Sequence, residues 1–302
     1  MAISRASARD LLVPGLVAIV GRYSQIERQW PQIFQRSNSK MALERAAEMR
    51  YAGLAQLKAE GGATVFDNAA GERFVYNIEH VALGLGIAMT REALDDNLYK
   101  DQFGPMSMGL AESFHQTEEI LHANLLNTGT VYNTSIVGDN QPLFSTAHPI
   151  DNGTYANRPS PDIGLNEAGI EYALQQIRVF PDQAGLRMLA RGKKLIVPIS
   201  MQFEGARLTK ADLRPGTSNN DITAFLAVGG LSDGMQVMDY LSSSLNWFVT
   251  SSVKGLVSFN RMPFELDMQV DPITGNLMII AYQRYGIGYV NPRSIWGSFP
   301  SA

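Results

Sequence analysis

The stretch LFSTAHPIDNG, residues 143–153, stands between a long helical pattern and a polar loop that is rich in Pro and Asn. Its Ser145, His148 and Asp151 are the residue types of a hydrolytic triad. A nucleophile, a base and an orienting carboxylate normally converge from separate loops or from a strained elbow, whereas these three crowd one short segment. Pro149 also stiffens the chain beside His148. The stretch therefore predicts a structural turn, with a Ser/His hydrolase as a remote alternative.

The composition limits the class of protein. The chain has 302 residues, of which 45% are hydrophobic and 18% are charged, and this predicts an ordered globular protein of one large or two modest domains. With 25 basic and 29 acidic residues and a net charge of -4, it lacks the positive field of a dedicated nucleic-acid binder. The absence of cysteine excludes disulfides, thiol catalysis and thiolate metal sites.

No membrane span is expected near the start of the chain. The apolar run from Leu11 to Val20 is interrupted by Pro14 and Gly15, and it is too short to cross a bilayer. A cleavable signal would also need a small-residue cleavage site soon after that run. We therefore expect synthesis in the cytoplasm, without export.

The first sixty residues predict an arm that is followed by a helix. Residues 3–30 mix apolar and polar side chains with breaks at Pro14-Gly15 and Trp30-Pro31, which is typical of an arm that packs on a partner. Residues 41–60 are rich in strong helix formers, and Gly61-Gly62 would end that helix.

A β-ribbon is predicted next. Residues 64–66 and 73–78 are β-rich runs, and residues 67–71 between them supply Asp, Asn and Gly for a turn. The second strand is expected to continue through residues 81–88, where two glycines would weaken it. We therefore expect a long ribbon that can flex.

A long helix is predicted from Thr90, a good N-cap residue, to Asn127. Residues 106–126 carry apolar side chains at helical intervals, and Gly104-Pro105 should kink or divide the helix. About thirty irregular residues follow, which is long for a passive connector.

The same helix carries Glu112-x-x-His115 and Glu119-x-x-His122, a pattern that is used in di-iron bundles. A seven-residue offset on one helix spans roughly 10.5 Å, which is too far for one shared metal. No second helix supplies further Glu-x-x-His ligands. These residues therefore predict a solvated or interface-facing polar stripe, and we expect neither a metal nor a cofactor.

From residue 166 the pattern becomes that of an inserted α+β domain, which we expect to extend to residue 250. Helices are expected at 167–180 and 201–208, and strands at 193–198, 219–228, 235–241 and 247–250.

The last fifty residues predict an extended region. Residues 264–270 and 277–285 are β-rich and flank the turn signal of residues 271–276, and a strand over 287–295 is expected to close the chain.

The remaining short motifs are weak. Gly84-x-Gly86, Gly229-Gly230 and Gly286-x-Gly288 lack the strand, turn and helix order of a phosphate-binding loop. Residues 282–289 combine Tyr and Gly, which could stack bases but more often indicates a core strand. Arg191, Lys193 and Lys194 form the densest basic cluster, which predicts a solvated strand edge rather than a phosphate contact, with an intersubunit charge pair as a further alternative.

The order of these parts resembles the major capsid proteins of tailed bacteriophages, the Hong Kong 97-type α+β fold. The resemblance is closest to the Mu-like major head subunits and rests on three colinear segments. These are PLFSTAHP at residues 142–149 with Asn152-Gly153, GKKLIVP at residues 192–198 with Ala206-Arg207, and YQRYGIG at residues 282–288 through Trp296-Gly-Ser298.

The resemblance implies a shell subunit without enzymatic activity that forms hexamers and pentamers of an icosahedral virion capsid around double-stranded DNA. It implies an N-arm at 1–48, an extended β-hairpin loop at 49–88, and an axial domain at 166–250. The peripheral domain would comprise 89–165, with the spine helix at 90–127, and 251–302. Some relatives begin with a scaffolding domain of about a hundred residues, for which this chain has no room, so a separate scaffold protein or another maturation route is expected.

The implied partners are other copies of the chain, a scaffold protein, a portal and decoration proteins, together with DNA through weak contacts. Assembly is expected in the host cytoplasm and without a membrane. An encapsulin-like shell around protein cargo is the alternative within this fold. Candidate intersubunit contacts are Phe66, Phe74, Lys58, Arg191, Lys193 and Lys194.

Overall fold

The computed structural model describes Tyr23 and residues 25–68, 70–92, 99–210 and 223–301, and for residues 99–107 it describes the backbone alone. Two four-stranded sheets, a long helix and a two-stranded ribbon make up most of this part of the chain. The predictions for residues 1–22, 93–98 and 211–222 lie outside the described residues.

The first sheet has the strand order β1-β10-β11-β4. Its strands are β1 (Gln35–Asn38), β4 (Val81–Met89), β10 (Leu256–Val270) and β11 (Leu277–Tyr289). The predicted turn between β10 and β11 is confirmed, because the Asp271 backbone N–H donates to the Asn276 carbonyl and Asp271 Oδ2 accepts a bond from the Thr274 hydroxyl. Gly288 permits a close approach, since a Cβ there would lie 2.8 Å from Ile78 Cγ1.

The ribbon consists of β2 (Leu43–Arg50) and β3 (Gly71–Glu79), which pair antiparallel. The predicted helix over residues 41–60 is therefore wrong, and so is the predicted pairing of 64–66 with 73–78. β3 satisfies the backbone of β2, and alternate β2 residues turn toward the body of the subunit, so tertiary pairing overrides helix propensity. The strand at 81–88 is confirmed as β4, but it pairs with β11 rather than extending the ribbon.

The long helix α1 (Tyr99–Asn127) ends where the sequence predicts, at Asn127. It runs through Gly104 and Pro105 without interruption, so the expected division is wrong. Leu110 and Phe114 of α1 are buried against the first sheet, in a cluster with Phe264, Ile279 and Ala281. The irregular segment after α1 contains one short hairpin, formed by β5 (His148–Ile150) and β6 (Gly153–Tyr155).

The second sheet has the order β12-β9-β7-β8. Its strands are β7 (Gly192–Pro198), β8 (Met235–Met238), β9 (Trp247–Ser251) and β12 (Ile295–Ser298). Helix α2 (Glu167–Arg178) packs its buried Ile170, Ala173 and Ile177 in the same cluster as Leu195, Trp247 and Trp296. Helix α3 (Gln202–Lys210) follows β7.

Two expectations for the second sheet are corrected by the structure. Residues 224–227 form the short helix α4 (Ala224–Ala227) instead of part of a strand. The strand predicted over 287–295 is divided, because β11 ends at Tyr289, a 3₁₀ turn occupies Pro292–Ser294, and β12 pairs with β9. A domain boundary between residues 250 and 251 would thus separate β12 from the sheet in which it pairs.

Candidate functional site: the ribbon and the segment that holds it

His148 is fully buried, and both of its ring nitrogens face oxygen atoms. Nδ1 lies 2.6 Å from Asp139 Oδ2, and Nε2 lies 3.1 Å from Asn157 Oδ1. The ring of Tyr155 stacks on the imidazole with centroids 4.9 Å apart. Because the ring is fully buried and both of its nitrogens are occupied by oxygen atoms of the protein, His148 holds the segment in place and is not arranged as a general base.

Asn157, which the sequence analysis missed, is the centre of this buried arrangement. Its Nδ2 lies 2.7 Å from the Leu143 carbonyl oxygen, 3.0 Å from that of Pro292 and 3.2 Å from that of Ile295. Its Oδ1 accepts from the Ser145 backbone N–H at 2.9 Å. The amide therefore joins the 143–157 segment to the start of β12. A lone Asn in a polar loop carries no local signal of such a role.

The remaining triad candidates have other partners. Ser145 Oγ bonds to Gln141 and to the Ala147 backbone N–H, and Asp151 pairs with Arg50 and Arg73. The sequence contains one Gly-x-Ser-x-Gly, at residues 230–234, but it precedes the strand β8 rather than a helix, and Ser232 Oγ donates to Asp233. The geometry thus gives no support to the hydrolase alternative.

The prediction of a solvated or interface-facing stripe on α1 is wrong for Glu119 and His122, which are buried within the chain and covered by residues 29–34. The Gln29 backbone N–H donates to Glu119 Oε1 at 2.7 Å, and the Trp30 ring stacks on His122 at 4.1 Å. Tyr23 and Arg28 both bond to Glu118. Among the described residues no group of three or more His, Asp or Glu side chains is placed to hold a metal. Glu119 and His122 are therefore part of the surface of α1 on which the segment before β1 packs.

Burial of His122 produces an expected pH dependence. Its Nδ1 donates to the Glu118 carbonyl and its Nε2 accepts from Ser258, and desolvation lowers its pKa from 6.5 to about 3. The unfolded imidazole protonates near pH 6.5 while the folded one stays neutral. The free energy of unfolding should therefore fall as the pH falls from about 6.5, with a slope of up to about 1.4 kcal/mol per pH unit from this group.

His122→Phe keeps the ring stack but cannot titrate. Denaturant unfolding of the unassembled chain at several pH values between about 7 and 5 measures how the free energy of unfolding changes with pH. In this variant that change should be smaller, by the contribution of up to one bound proton, or about 1.4 kcal/mol per pH unit. Its stability at pH 7 should also be lower, because Ser258 and the Glu118 carbonyl lose a partner. Equal slopes for the two proteins would contradict the burial of a neutral imidazole.

Beyond the ribbon, residues 51–68 form what we call the projecting loop, in which apolar side chains stand in solvent. Phe66 is 82% exposed and Leu57 is entirely exposed, and Tyr51, Leu54 and Val65 are exposed as well. Lys58 lies on the same loop and is exposed. Phe74 on β3 differs from these, because it packs against a buried core cluster that includes Tyr76 and Phe144. Of the two candidate phenylalanines, only Phe66 lies outside the core clusters of the described residues.

The basic cluster does not act as one surface. Lys194 Nζ bonds to Gln32 within the subunit, at 3.3 Å from its carbonyl oxygen and 3.2 Å from its Oε1. Lys193 lies 4.0 Å from Asp233 in an exposed pair. The backbone N–H of exposed Arg191 donates to Ser252 Oγ. An intersubunit role of these three residues stays a prediction, and Lys194 already has a role inside the chain.

Comparison with known proteins identifies the class. Residues 78–297 match the family model described as phage capsid protein. No curated protein sequence matches the chain. Within the part of the chain that the structure describes, no helix has the length and apolar character needed to cross a membrane.

Three solved structures share the fold at low sequence identity. Microbacterium phage Oxtober96 matches with a TM-score of 0.55 and 11% identity over 100% of both chains. The virus-like particle from Pyrococcus furiosus matches with a TM-score of 0.54 and 11% identity, over 96% of this chain and 98% of that one. The procapsid of bacteriophage JBD30 gives a TM-score of 0.52 and 14% identity, over 99% of this chain and 77% of that one.

The fold is the Hong Kong 97-type α+β capsid fold, as the sequence predicted. The chain belongs to the phage capsid protein family, and it is a major capsid protein, a structural subunit of the virion shell. The family match supports a phage capsid protein better than it supports the alternative, an encapsulin-like shell protein. The Mu-like relationship within the family stays a prediction.

Proposed function

We propose that this subunit forms the hexamers and pentamers of an icosahedral shell that encloses double-stranded DNA. The observation that carries the proposal is the projecting loop. Its apolar side chains are too exposed to be stabilised by their own subunit. Burial against a neighbouring copy would remove that area from water, which is the usual driving force of obligate assembly.

The other partners follow from the same proposal. A separate scaffold protein, a portal and decoration proteins would complete the particle, and assembly would take place in the host cytoplasm. The slight negative balance of the chain suits weak, non-specific contacts with packaged DNA, because each strong phosphate contact would be a salt-dependent anchor. The block at 166–250 would lie at the capsomer centre, with residues 89–165 and 251–302 around it.

Negative-stain electron microscopy and sedimentation of the purified chain, alone and co-expressed with its genomic neighbours, test this function. Closed shells, tubes or rings of six subunits are expected, and particles from infected or co-expressing cells should contain DNA. Shells that contain only protein cargo would favour the encapsulin alternative. A monomer or dimer under every condition would contradict shell formation.

Replacing Phe66 with Ser should weaken assembly without destabilising the subunit. Phe66 makes no core contact, so the free energy of unfolding should change by less than about 0.5 kcal/mol. A lost contact of about 1.4 kcal/mol at an interface would raise the protein concentration needed for assembly about tenfold. Light scattering across a concentration series measures this threshold. Phe66→Leu, which retains an apolar side chain, should assemble nearly as well as the wild type.

A further inference from the structure

Four charged residues at the end of the ribbon form what we call the ribbon clamp: Arg50, Arg73, Asp151 and Asp67. Arg50 ends β2 and donates from Nε to Asp151 Oδ2. Arg73 lies near the start of β3, and its NH2 group is 2.8 Å from Asp151 Oδ1. Both strands of the ribbon are thus bonded to the two oxygens of one carboxylate on the body of the subunit.

Asp151 is itself held firmly. It forms the turn between β5 and β6, and its backbone N–H donates to the Gln183 carbonyl at 3.2 Å. At the other end of the same short hairpin lies His148, buried between Asp139 and Asn157. The position of Asp151 is therefore fixed by the buried segment, while its carboxylate reaches the surface.

The fourth member extends the clamp into the projecting loop. Arg50 NH1 lies 3.4 Å from Asp67 Oδ2, and the same oxygen accepts from the Gly53 backbone N–H at 2.7 Å. These bonds close the two ends of the loop on each other beside Arg50. The ladder of the ribbon stops at the Arg50 and Gly71 pair, so the clamp lies where paired strands give way to a loop without strand partners.

We propose that Arg50, which bridges Asp151 and Asp67, is a positioning residue that sets the direction in which the projecting loop leaves the subunit. This inference rests on the proposed function, in which that loop docks on a neighbouring copy. The loop has few apolar contacts of its own, so charged bonds at its base decide its orientation. A defined orientation lowers the entropy lost when the loop docks, which speeds productive assembly.

The chemistry of the clamp predicts which changes it tolerates. Arg50 donates to Asp151 from Nε and to Asp67 from NH1, two nitrogens of one rigid planar group, whereas all the donors of Lys sit on a single nitrogen that cannot occupy both positions. The side chains of Arg50 and Asp151 are 15% and 20% exposed, so added salt should reach the pair and weaken it. Arg50→Lys and high salt should therefore both loosen the loop.

The orientation of the loop can be measured directly, because the chain has no cysteine to interfere with labelling. Spin labels at Lys58→Cys on the loop and Lys254→Cys on the body report their separation by pulsed electron resonance in the unassembled full chain. The intact clamp should give one narrow distribution of distances between the two labels. Asp151→Asn and Arg50→Gln should each at least double the width of that distribution. High salt should broaden the distribution of the intact protein more than that of either variant.

The matched control is Asp233→Asn, which makes the same chemical change in the exposed pair with Lys193 and should leave the distribution narrow. If the two clamp variants also gave the narrow distribution, the proposed role of Arg50 would be overturned. The assembly rate provides an independent readout, and the clamp variants should lower it at least fivefold. Normal assembly of Phe66→Ser would instead contradict docking of the loop on a neighbouring copy. The widths of the distance distributions would still show whether Arg50 orients the loop.

Discussion

Asn157→Asp, which exchanges one amide nitrogen for oxygen, is expected to lower the free energy of unfolding by at least about 4 kcal/mol. The new oxygen would face the carbonyl oxygens of Leu143, Pro292 and Ile295, all within 3.2 Å of the atom that it replaces. The three carbonyl oxygens would lose the two N–H donors that they share, and a charge would be added at a fully buried position. His148, beside the other side-chain oxygen, would offset only part of this cost.

Denaturant unfolding of the unassembled chain, monitored by tryptophan fluorescence, measures the effect, because Trp247 and Trp296 lie in a buried cluster of the second sheet. Asn152→Asp makes the same substitution at an exposed turn position of the same segment and should cost less than about 0.5 kcal/mol. If Asn157→Asp were as mild as this control, Asn157 could not be the donor to these three carbonyls.

Glu48→Ala should be the second most damaging of the changes considered. Glu48 lies on β2 and pairs with NH1 of Arg293, a residue that is only 1% exposed. Arg293 also donates from Nε to the Pro181 carbonyl at 2.5 Å and lies over the Tyr155 ring. Removing the carboxylate leaves a buried guanidinium without its counter-charge, which typically costs about 3 to 5 kcal/mol.

Two companion variants separate charge from hydrogen bonding at this position. Glu48→Gln keeps an acceptor oxygen and should lose less stability than Glu48→Ala. Glu72→Ala removes the same side chain from an exposed position of the same ribbon and should be nearly neutral. Equal midpoints of thermal or denaturant unfolding for Glu48→Ala and Glu72→Ala would show that Arg293 does not depend on the ribbon.

Local signals predicted a good part of the fold. The helix predicted from residue 167 is α2, which the structure shows capped by Asn166, and the turn predicted at residues 271–276 joins β10 to β11. The lysine-flanked run that ends at Pro198 is strand β7. In these elements, the residues that determine the structure are neighbours in the sequence, so pattern and propensity suffice.

Elements that are determined by distant residues were not predictable in this way. Residues 43–50 carry helix formers, yet they form a strand because β3 and Arg293 supply partners from far along the chain. His122 was expected in a polar stripe because nothing local shows that Trp30 covers it. The candidate contacts came from a family resemblance. The ribbon clamp could not be predicted from the sequence, because its arginines lie about 80 to 100 residues before Asp151.

The parallel pairing of β1 with β10 has a consequence for synthesis. Gln35 pairs with Val257, so β1 leaves the ribosome roughly 220 residues before its partner strand, which at about 5 to 20 residues per second is ten to forty seconds. The hydrogen bonds from Asn157 to the carbonyls of Pro292 and Ile295 likewise cannot form until those residues have been synthesised. A growing chain therefore cannot complete the first sheet or the ribbon's attachment to Arg293 until late in translation. We expect this delay to keep nascent chains on neighbouring ribosomes from joining a shell before they are finished.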